Sequence, residues 1–212
     1  MGKKEAARQR QLAKKKSKRD NKRKELARRT SHDPTIALEH IASTPVYDAQ
    51  IPDKPSQGMG VAVIARRLPD GRIAYASYLL DTYCLGVKDV FWHIKSPAEY
   101  HEYLDQSQRA GRSRKVSGEC VAKLVLGAVE YARSHGFSPH EDFRHARRLL
   151  EGINPTVCTE EFEYGYNGRP MFIQGPYDTP ARINQIMARL GESGETADGL
   201  IEPRRGQLLI NP

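Results

Sequence analysis

A short polar block near the middle of the chain holds the side chains with the clearest chemical potential. Cys84, Lys88 and Asp89 lie within the run YCLGVKD (83–89), and His93 follows four residues later. A lysine ammonium lowers the pKa of a nearby thiol, and a histidine can act as its base. The set is compatible with a small hydrolase-like enzyme in which Cys84 is the nucleophile. The alternative, which we favour, is a half-buried cysteine beside a glycine turn, because the sequence identifies no donors for an oxyanion.

The sequence contains no motif that indicates a metal site or a cofactor site. The histidines between 93 and 145 do not place two ligands on one helical face, and the cysteines form no CxxC pair. Gly58-Met59-Gly60 precedes a predicted strand, whereas a dinucleotide fingerprint follows one, and no GK[ST] motif occurs. We therefore predict no metal and no cofactor.

The positive charge of the chain is concentrated at its beginning. Residues 1–30 contain 14 of the 34 lysines and arginines but only 3 of the 26 acidic residues, although the whole chain carries a net charge of +8. The remainder is close to neutral. This separation predicts a basic arm attached to a domain that has no extended basic face of its own.

The arm has no apolar stripe, so we expect it to be disordered or a fraying helix when free and to become ordered as a helix on binding. Counterion release from nucleic acid phosphates would drive its binding without sequence readout. A solubilising tail and a membrane-surface helix are the alternatives. The predicted phosphate-contacting residues are Lys3, Lys4, Arg8, Arg10, Lys14, Lys15, Lys16, Lys18, Arg19, Lys22, Arg23, Lys24, Arg28 and Arg29.

A second basic stretch, 109–115, connects two predicted helices. Arg109, Arg112, Arg114 and Lys115 could contact phosphates beside the arm, or they could belong to a solvated connection. Five tyrosines that lie in or next to predicted strands could stack on single-stranded bases, but we expect most of them to pack under helices. These are Tyr75, Tyr78, Tyr83, Tyr164 and Tyr166.

Cysteine use and hydropathy indicate the compartment. Cys84, Cys120 and Cys158 are an odd set without paired spacing, so reduced thiols in the cytoplasm are the simplest interpretation. No apolar run approaches the length needed to cross a bilayer, and no apolar segment follows the basic N-terminus. We expect a soluble cytoplasmic protein without a membrane partner.

The strands are predicted from two turn signals. Leu68-Pro69-Asp70-Gly71 joins two β-prone runs into a hairpin over about 60–83, and Asn167-Gly168 indicates a second hairpin over about 157–174. Two hairpins can join in one antiparallel sheet. Pro170 suggests an edge position, where an adaptor could bind another protein.

The helices are predicted from their N-terminal capping signals. Ser96-Pro97-Ala98-Glu99 begins a helix to about Gln108, Ser117 begins one that ends near Gly136, and Ser138-Pro139-His140-Glu141 begins a third. A last helix begins near Thr179 and ends at Gly191. The resulting fold is a two-layer α+β domain in which an antiparallel sheet is covered by three to four helices.

The domain organisation follows from composition. We predict a basic arm at 1–32, a short helix and proline-containing linker at 33–58, the α+β domain at 59–191, and a loose tail at 192–212.

Three sequence blocks resemble those of a bacterial protein family without an assigned activity. The blocks are ARRLPDGRI (65–73), YCLGVKD (83–89) and GFSPHEDF (136–143), and the resemblance covers about residues 60–190. It implies a single bacterial domain and carries over no catalytic residue.

Together these patterns favour a non-enzymatic binding protein whose basic arm contacts nucleic acid. RNA, or a ribonucleoprotein such as the ribosome, is favoured over DNA as the partner. The alternatives are the small enzyme around Cys84, Lys88, Asp89 and His93, and the adaptor between proteins.

Overall fold

Two strands and a tight turn form the centre of the protein in the computed structural model, which describes residues 41–175, 178–191 and 195–197. β2 (Met59–Arg67) and β3 (Ile73–Asp81) pair in antiparallel register along their whole length. Gly71 adopts a φ of 86° in the turn between them, as the Pro-Asp-Gly sequence predicts. The first hairpin is therefore confirmed.

A strand that the sequence analysis did not assign lies beside this hairpin. β4 (Gly86–Lys95) pairs antiparallel with β3 and forms one edge of the main sheet. The sequence analysis did not recognise its apolar run, Val90–Ile94, because the polar residues before it resemble a loop. Those residues, including Lys88 and Asp89, belong to the start of the strand rather than to a separate block.

The predicted linker also contains a strand. β1 (Val46–Pro52) pairs with β2, and β5 (Ser113–Lys115) pairs with β1, so the five-stranded order is β4-β3-β2-β1-β5. Pro45 and Pro52 lie at the ends of β1, where proline interrupts no interior ladder bond. The folded unit accordingly includes residues 41–58, which precede the predicted boundary at residue 59.

Helices lie on both faces of the sheet. Tyr103 of α1 (Pro97–Ala110) donates a 2.8 Å hydrogen bond to Ser77 Oγ on one face. Tyr78 points to the other face, because neighbouring side chains of a strand alternate, and its hydroxyl donates to Ala146 O at 2.8 Å. Ala146 ends α3 (Phe143–Ala146). The α+β class and the antiparallel sheet are confirmed. The two-layer prediction placed helices on one face of the sheet, and α1 covers the other face as well.

α2 (Gly118–Ser134) is the longest helix among the described residues, and it lies across β1 to β4. It begins and ends close to the predicted positions. Gly136, just after it, has a φ of 80°, which glycine adopts without strain. α1 likewise begins with the predicted capping box, in which Ser96 and Glu99 exchange hydrogen bonds.

The third predicted helix starts later than its capping signal suggests. Residues 138–142 are not helical, because this segment lies against the sheet edge, where His140 N donates to Val87 O at 3.0 Å. The helix begins only at Phe143, and a 3-10 turn, Arg147–Leu150, continues it.

The second predicted hairpin is wrong as a part of the main sheet. Only the turn around Asn167 and Gly168 forms, with a single bridge between Tyr166 and Arg169. β6 (Met171–Ile173) instead pairs in parallel with β7 (Glu195–Ala197), in a region predicted to be a loose tail. The proposed adaptor edge near Pro170 is therefore not an edge of the main sheet.

The segment before that turn lies along α2. The Tyr164 hydroxyl lies 3.2 Å from Lys123 O and 3.2 Å from Leu124 O. Gly127 makes this approach possible, since a Cβ there would lie 2.2 Å from the Tyr164 hydroxyl oxygen. A bulky residue at 127 would displace the segment.

A disulfide bond between Cys120 and Cys158 joins the first turn of α2 to the same segment. The expectation of three reduced thiols is therefore wrong for two of the cysteines. Local spacing does not reveal the pair, because the two residues are 38 positions apart. Cys84 is the single free cysteine.

α4 (Pro180–Leu190) begins with the predicted cap, in which Thr179 accepts a hydrogen bond from Arg182 N. No helix among the described residues is long and apolar enough to cross a membrane.

Arg66 connects the sheet to two other segments. Its side chain is buried, 2% exposed, on β2, and its guanidinium group donates only to main-chain oxygens. The acceptors are Leu149 O at 2.8 Å, Glu151 O at 2.5 Å, Thr44 O at 2.6 Å, Ile41 O at 3.1 Å and Ala42 O at 3.3 Å. Burial lowers the pKa of Arg66, and the nearby Glu151 opposes that effect.

We expect Arg66→Lys to lower the free energy of unfolding by about 2–4 kcal/mol, because one ammonium group cannot reach carbonyls of both segments. Urea unfolding followed by circular dichroism measures this. Arg67→Lys, at the exposed neighbouring position, is the control and should change the value by less than about 0.5 kcal/mol. Equal effects of the two substitutions would show that the Arg66 hydrogen bonds contribute little.

Candidate functional site

The turn between β3 and β4 is built around the buried carboxylate of Asp81. Its Oδ1 accepts hydrogen bonds from Tyr83 N at 3.1 Å and from Cys84 N at 2.9 Å. Gly86 then adopts a φ of 69°, and a Cβ there would lie 2.8 Å from Ala128 O of α2. A glycine is therefore required at this position of the predicted turn, because the chain passes so close to α2.

Cys84 is completely buried beneath this turn. It packs against Leu85, Ala132 and Phe172 in an apolar cluster. Burial, and secondly the charge of Asp81, raise the pKa of the Cys84 thiol to about 12. A thiol with this pKa and no access to solvent is not a nucleophile at neutral pH.

His93 does not reach Cys84. β4 places Gly86 opposite Asp81 but His93 opposite Tyr75, and seven strand residues span ~23 Å. The His93 ring packs against Tyr75 and Phe91, with centroids 5.9 and 5.5 Å apart, and burial lowers its pKa. The structure thus separates the predicted nucleophile from its predicted base.

We expect no Cys84 labelling by an aromatic disulfide reagent in the native protein at pH 7. After denaturation without reductant, one thiol per chain should react, because Cys120 and Cys158 are joined. Prior reduction should raise that number to three. Rapid native labelling would contradict the burial of Cys84.

Lys88 and Asp89 lie where β4 contains a bulge, and the charge of Lys88 lowers the pKa of the Cys84 thiol without offsetting the effect of burial. The pairing with β3 shifts between Leu79 and Leu80, and a bulge changes the direction of the side chain that it carries. Lys88 Nζ lies 3.2 Å from Asp178 Oδ2 and 5.8 Å from the centre of the Phe172 ring. Asp89 Oδ1 lies 3.8 Å from His140 Nε2.

A cleft of about 270 Å³ lies next to Lys88, which is the one residue of the predicted pocket that lines it. Its floor is apolar, and α4 supplies one wall. The residues that line it are Leu85, Val87, Lys88, Phe137, Ser138, His140, Arg182, Gln185, Ile186 and Arg189.

The charges around this cleft are largely compensated. Asp178 is 4% exposed, and its carboxylate lies 3.2 Å from Lys88 Nζ and 3.4 Å from Arg182 Nε. Arg189 donates to Gly136 O at 3.2 Å. The cleft can accommodate a small polar molecule, but Cys84 and His93 are absent from its lining.

Asp178, Arg182 and Arg189 were missed by the sequence analysis. Asp178 is 90 residues from Lys88 in the chain and the two arginines are farther away, so only the fold brings them together. The single local signal is the i,i+4 spacing of Asp178 and Arg182 at the start of α4.

Two buried polar atoms near the turn lack a hydrogen-bond partner among the described residues. They are Asp81 Oδ2 and the Tyr131 hydroxyl. Burial raises the pKa of Asp81 to about 6, against the hydrogen bonds from Cys84 and Tyr83 and the charge of Lys88. The folded protein therefore binds the Asp81 proton more tightly than the unfolded chain does.

Because the folded pKa lies above the unfolded value, we expect Asp81 to make the free energy of unfolding decline by up to roughly 3 kcal/mol between about pH 4 and pH 6. Asp81→Asn should remove this decline, as urea unfolding at several pH values would show. Asp70→Asn is the control. Because Arg72 lowers the pKa of the exposed Asp70, that carboxylate contributes stability that rises with pH, and the substitution should remove this rise. A wild-type slope unchanged in Asp81→Asn would contradict the assignment.

The second basic stretch is partly a strand. Arg114 on β5 forms an ion pair with Glu160, and Lys115 Nζ lies 3.7 Å from Asp48 Oδ1. Arg109 and Arg112 are exposed, and neither has an acidic partner among the described residues. Two of the four predicted side chains are thus available without breaking an ion pair. The 14 predicted residues of the arm lie outside the described residues.

The tyrosines do not form an exposed stacking face. Tyr75 and Tyr78 are 3% and 0% exposed, one under α1 and the other under α3. Packing under helices is therefore confirmed for these two. Tyr166 is 40% exposed and packs edge-on against Tyr83.

Comparison with known proteins gave no relative. No family model matches the chain, and no curated protein or solved structure does so. The resemblance to a bacterial family consequently stays a prediction. Among the described residues, no three histidine, cysteine, aspartate or glutamate side chains cluster as a metal site would require.

Proposed function

We propose that the protein is a non-enzymatic nucleic-acid-binding protein whose basic arm contacts phosphates without reading sequence. The observation that carries the proposal is the segregation of charge, with 14 basic and 3 acidic residues in positions 1–30. The rest of the chain holds 20 basic and 23 acidic residues, so attraction to a polyanion is concentrated in the arm.

The geometry of the folded part supports binding more than catalysis. Burial removes Cys84 from solvent, and β4 separates it from His93, so the thiol enzyme has no active nucleophile. Arg109 and Arg112 offer two exposed positive charges in addition to the arm. RNA or a ribonucleoprotein is the partner class of the proposal.

Matched charge variants of the full-length protein test the arm. Lys15→Gln/Lys16→Gln removes two charges from the arm, and Lys54→Gln/Arg133→Gln removes two from exposed positions on the folded part. Binding of fluorescent single-stranded RNA and duplex DNA is measured by anisotropy across a salt series. For RNA, the arm variant should reduce the slope of log K against log salt by about 1.4, since each contact contributes about 0.7.

The control variant should leave that slope unchanged. A wild-type affinity that varies little with salt, or equal effects of the two variants, would refute binding through the arm. A similar affinity for RNA and DNA would leave the phosphate mechanism intact but remove the preference for RNA.

A further inference from the structure

The single tryptophan lies on the outer strand of the sheet, beside a helix that carries arginines. Trp92 is half-buried on β4, and its ring lies 6.3 Å from that of His145 on α3, with an angle of 32° between the planes. No other strand pairs with the outer side of β4 among the described residues. A partly exposed indole in this position is a surface on which a flat ring can stack.

The outward face of α3 and the 3-10 turn after it is basic. Phe143, Ala146, Leu149 and Leu150 are buried and fix the inner face. Arg144, Arg147 and Arg148 have the i, i+3, i+4 spacing that places side chains on one side of a helix. Arg144 and Arg147 are exposed and Arg148 is partly exposed, so the three lie on the opposite, solvent side.

These arginines are not neutralised by ion pairs. Among the described residues, no acidic side chain lies within ion-pair distance of Arg144, Arg147 or Arg148. Of the acidic residues close to the helix in the chain, Glu141 is exposed, and the other two interact with other groups. Asp142 lies 3.8 Å from His140 Nδ1, and Glu151 interacts with the buried Arg66.

Arg144 also orients the aromatic pair. Its Nε donates to His145 Nε2 at 2.9 Å, and this hydrogen bond fixes the orientation of the imidazole ring. His145 in turn packs against Trp92. An aromatic platform flanked by unpaired arginines is the combination that binds single strands, because bases stack on the rings and guanidinium groups contact the phosphates.

We propose that Trp92, His145 and the arginines at 144, 147 and 148 form a second contact surface, on the folded domain, for single-stranded nucleic acid. The inference rests on the proposed function and extends it, since the arm supplies only charge whereas this surface selects unpaired bases. A duplex offers no free base face here. The partner would therefore be a single strand, or a loop within a structured RNA.

Fluorescence of Trp92 reports this contact directly, because the chain has no other tryptophan. The full-length protein is titrated with an oligoadenylate of about ten nucleotides, and with an abasic ribose-phosphate oligomer of the same length and charge. Anisotropy of a label on the oligomer measures binding in parallel. We expect both oligomers to bind and only the oligoadenylate to quench Trp92.

Three variants distinguish base stacking on Trp92 from phosphate contacts made by the arginines. Trp92→Leu should weaken oligoadenylate binding roughly 5- to 100-fold while leaving abasic binding unchanged. Arg147→Gln/Arg148→Gln should weaken binding of both oligomers and lower the salt slope by about 1.4. Lys54→Gln/Arg133→Gln removes the same charge elsewhere and should do neither. Circular dichroism spectra and melting curves confirm that each variant is folded.

The outcomes distinguish the two proposals. Oligoadenylate binding by anisotropy without quenching, and with Trp92→Leu at wild-type affinity, would overturn this surface and leave arm binding in place. Absence of binding for both oligomers and for duplex DNA would overturn both proposals. Equal quenching by the abasic oligomer would show a charge effect on Trp92 without stacking, and would also refute the surface.

Discussion

Arg66 holds a positive charge inside the protein, and the surrounding chain is arranged to satisfy it. A guanidinium group carries five donors in a fixed plane, and burying it without acceptors would be very costly. The acceptors come from residues 41–44 on one side and from Leu149 and Glu151 on the other. Burial of the Arg66 guanidinium on β2 therefore requires both segments. This requirement explains why the folded unit includes residues before β1.

The same constraint sets the position of α3. Leu149 and Glu151 follow α3 directly, so their hydrogen bonds to Arg66 fix where the helix lies against the sheet. The Tyr78 hydroxyl bond to Ala146 O adds a second fixed point on the same face. The orientation of α3, and hence the side of it that meets solvent, follows from two polar contacts inside the core.

Local signals predicted the elements whose chemistry is local. The Pro-Asp-Gly turn, the capping box at Ser96 and the glycine at 136 each act within a few residues, and the structure contains them as expected. β4 was missed because its polar start resembles a loop. The prediction of a hairpin at 157–174 was wrong for a different reason. Its first half follows α2, owing to the Tyr164 contacts and the Cys120–Cys158 bond, and a window of a few residues contains neither.

The candidate site was predictable only in part. The sequence indicated a glycine turn after the first hairpin, and the structure has it at 82–85, but the analysis grouped Cys84 with His93 by proximity in the chain. An extended strand moves residues apart by about 3.3 Å each, so nearness in sequence does not bring side chains together along β4. Asp178 and the α4 arginines became part of the cleft through folding alone.

The Cys120–Cys158 bond makes the stability of the domain depend on the redox potential around it. Closing a loop of 38 residues stabilises a folded chain by about 4 kcal/mol in the chain-entropy description. Thiol–disulfide exchange would remove this contribution in a strongly reducing compartment. The segment from Cys158 to Tyr164 would then be held to α2 by the Lys123–Glu161 ion pair and the Tyr164 hydroxyl contacts. The oxidised protein would thus hold this segment by a covalent bond, and the reduced protein would hold it by noncovalent contacts alone.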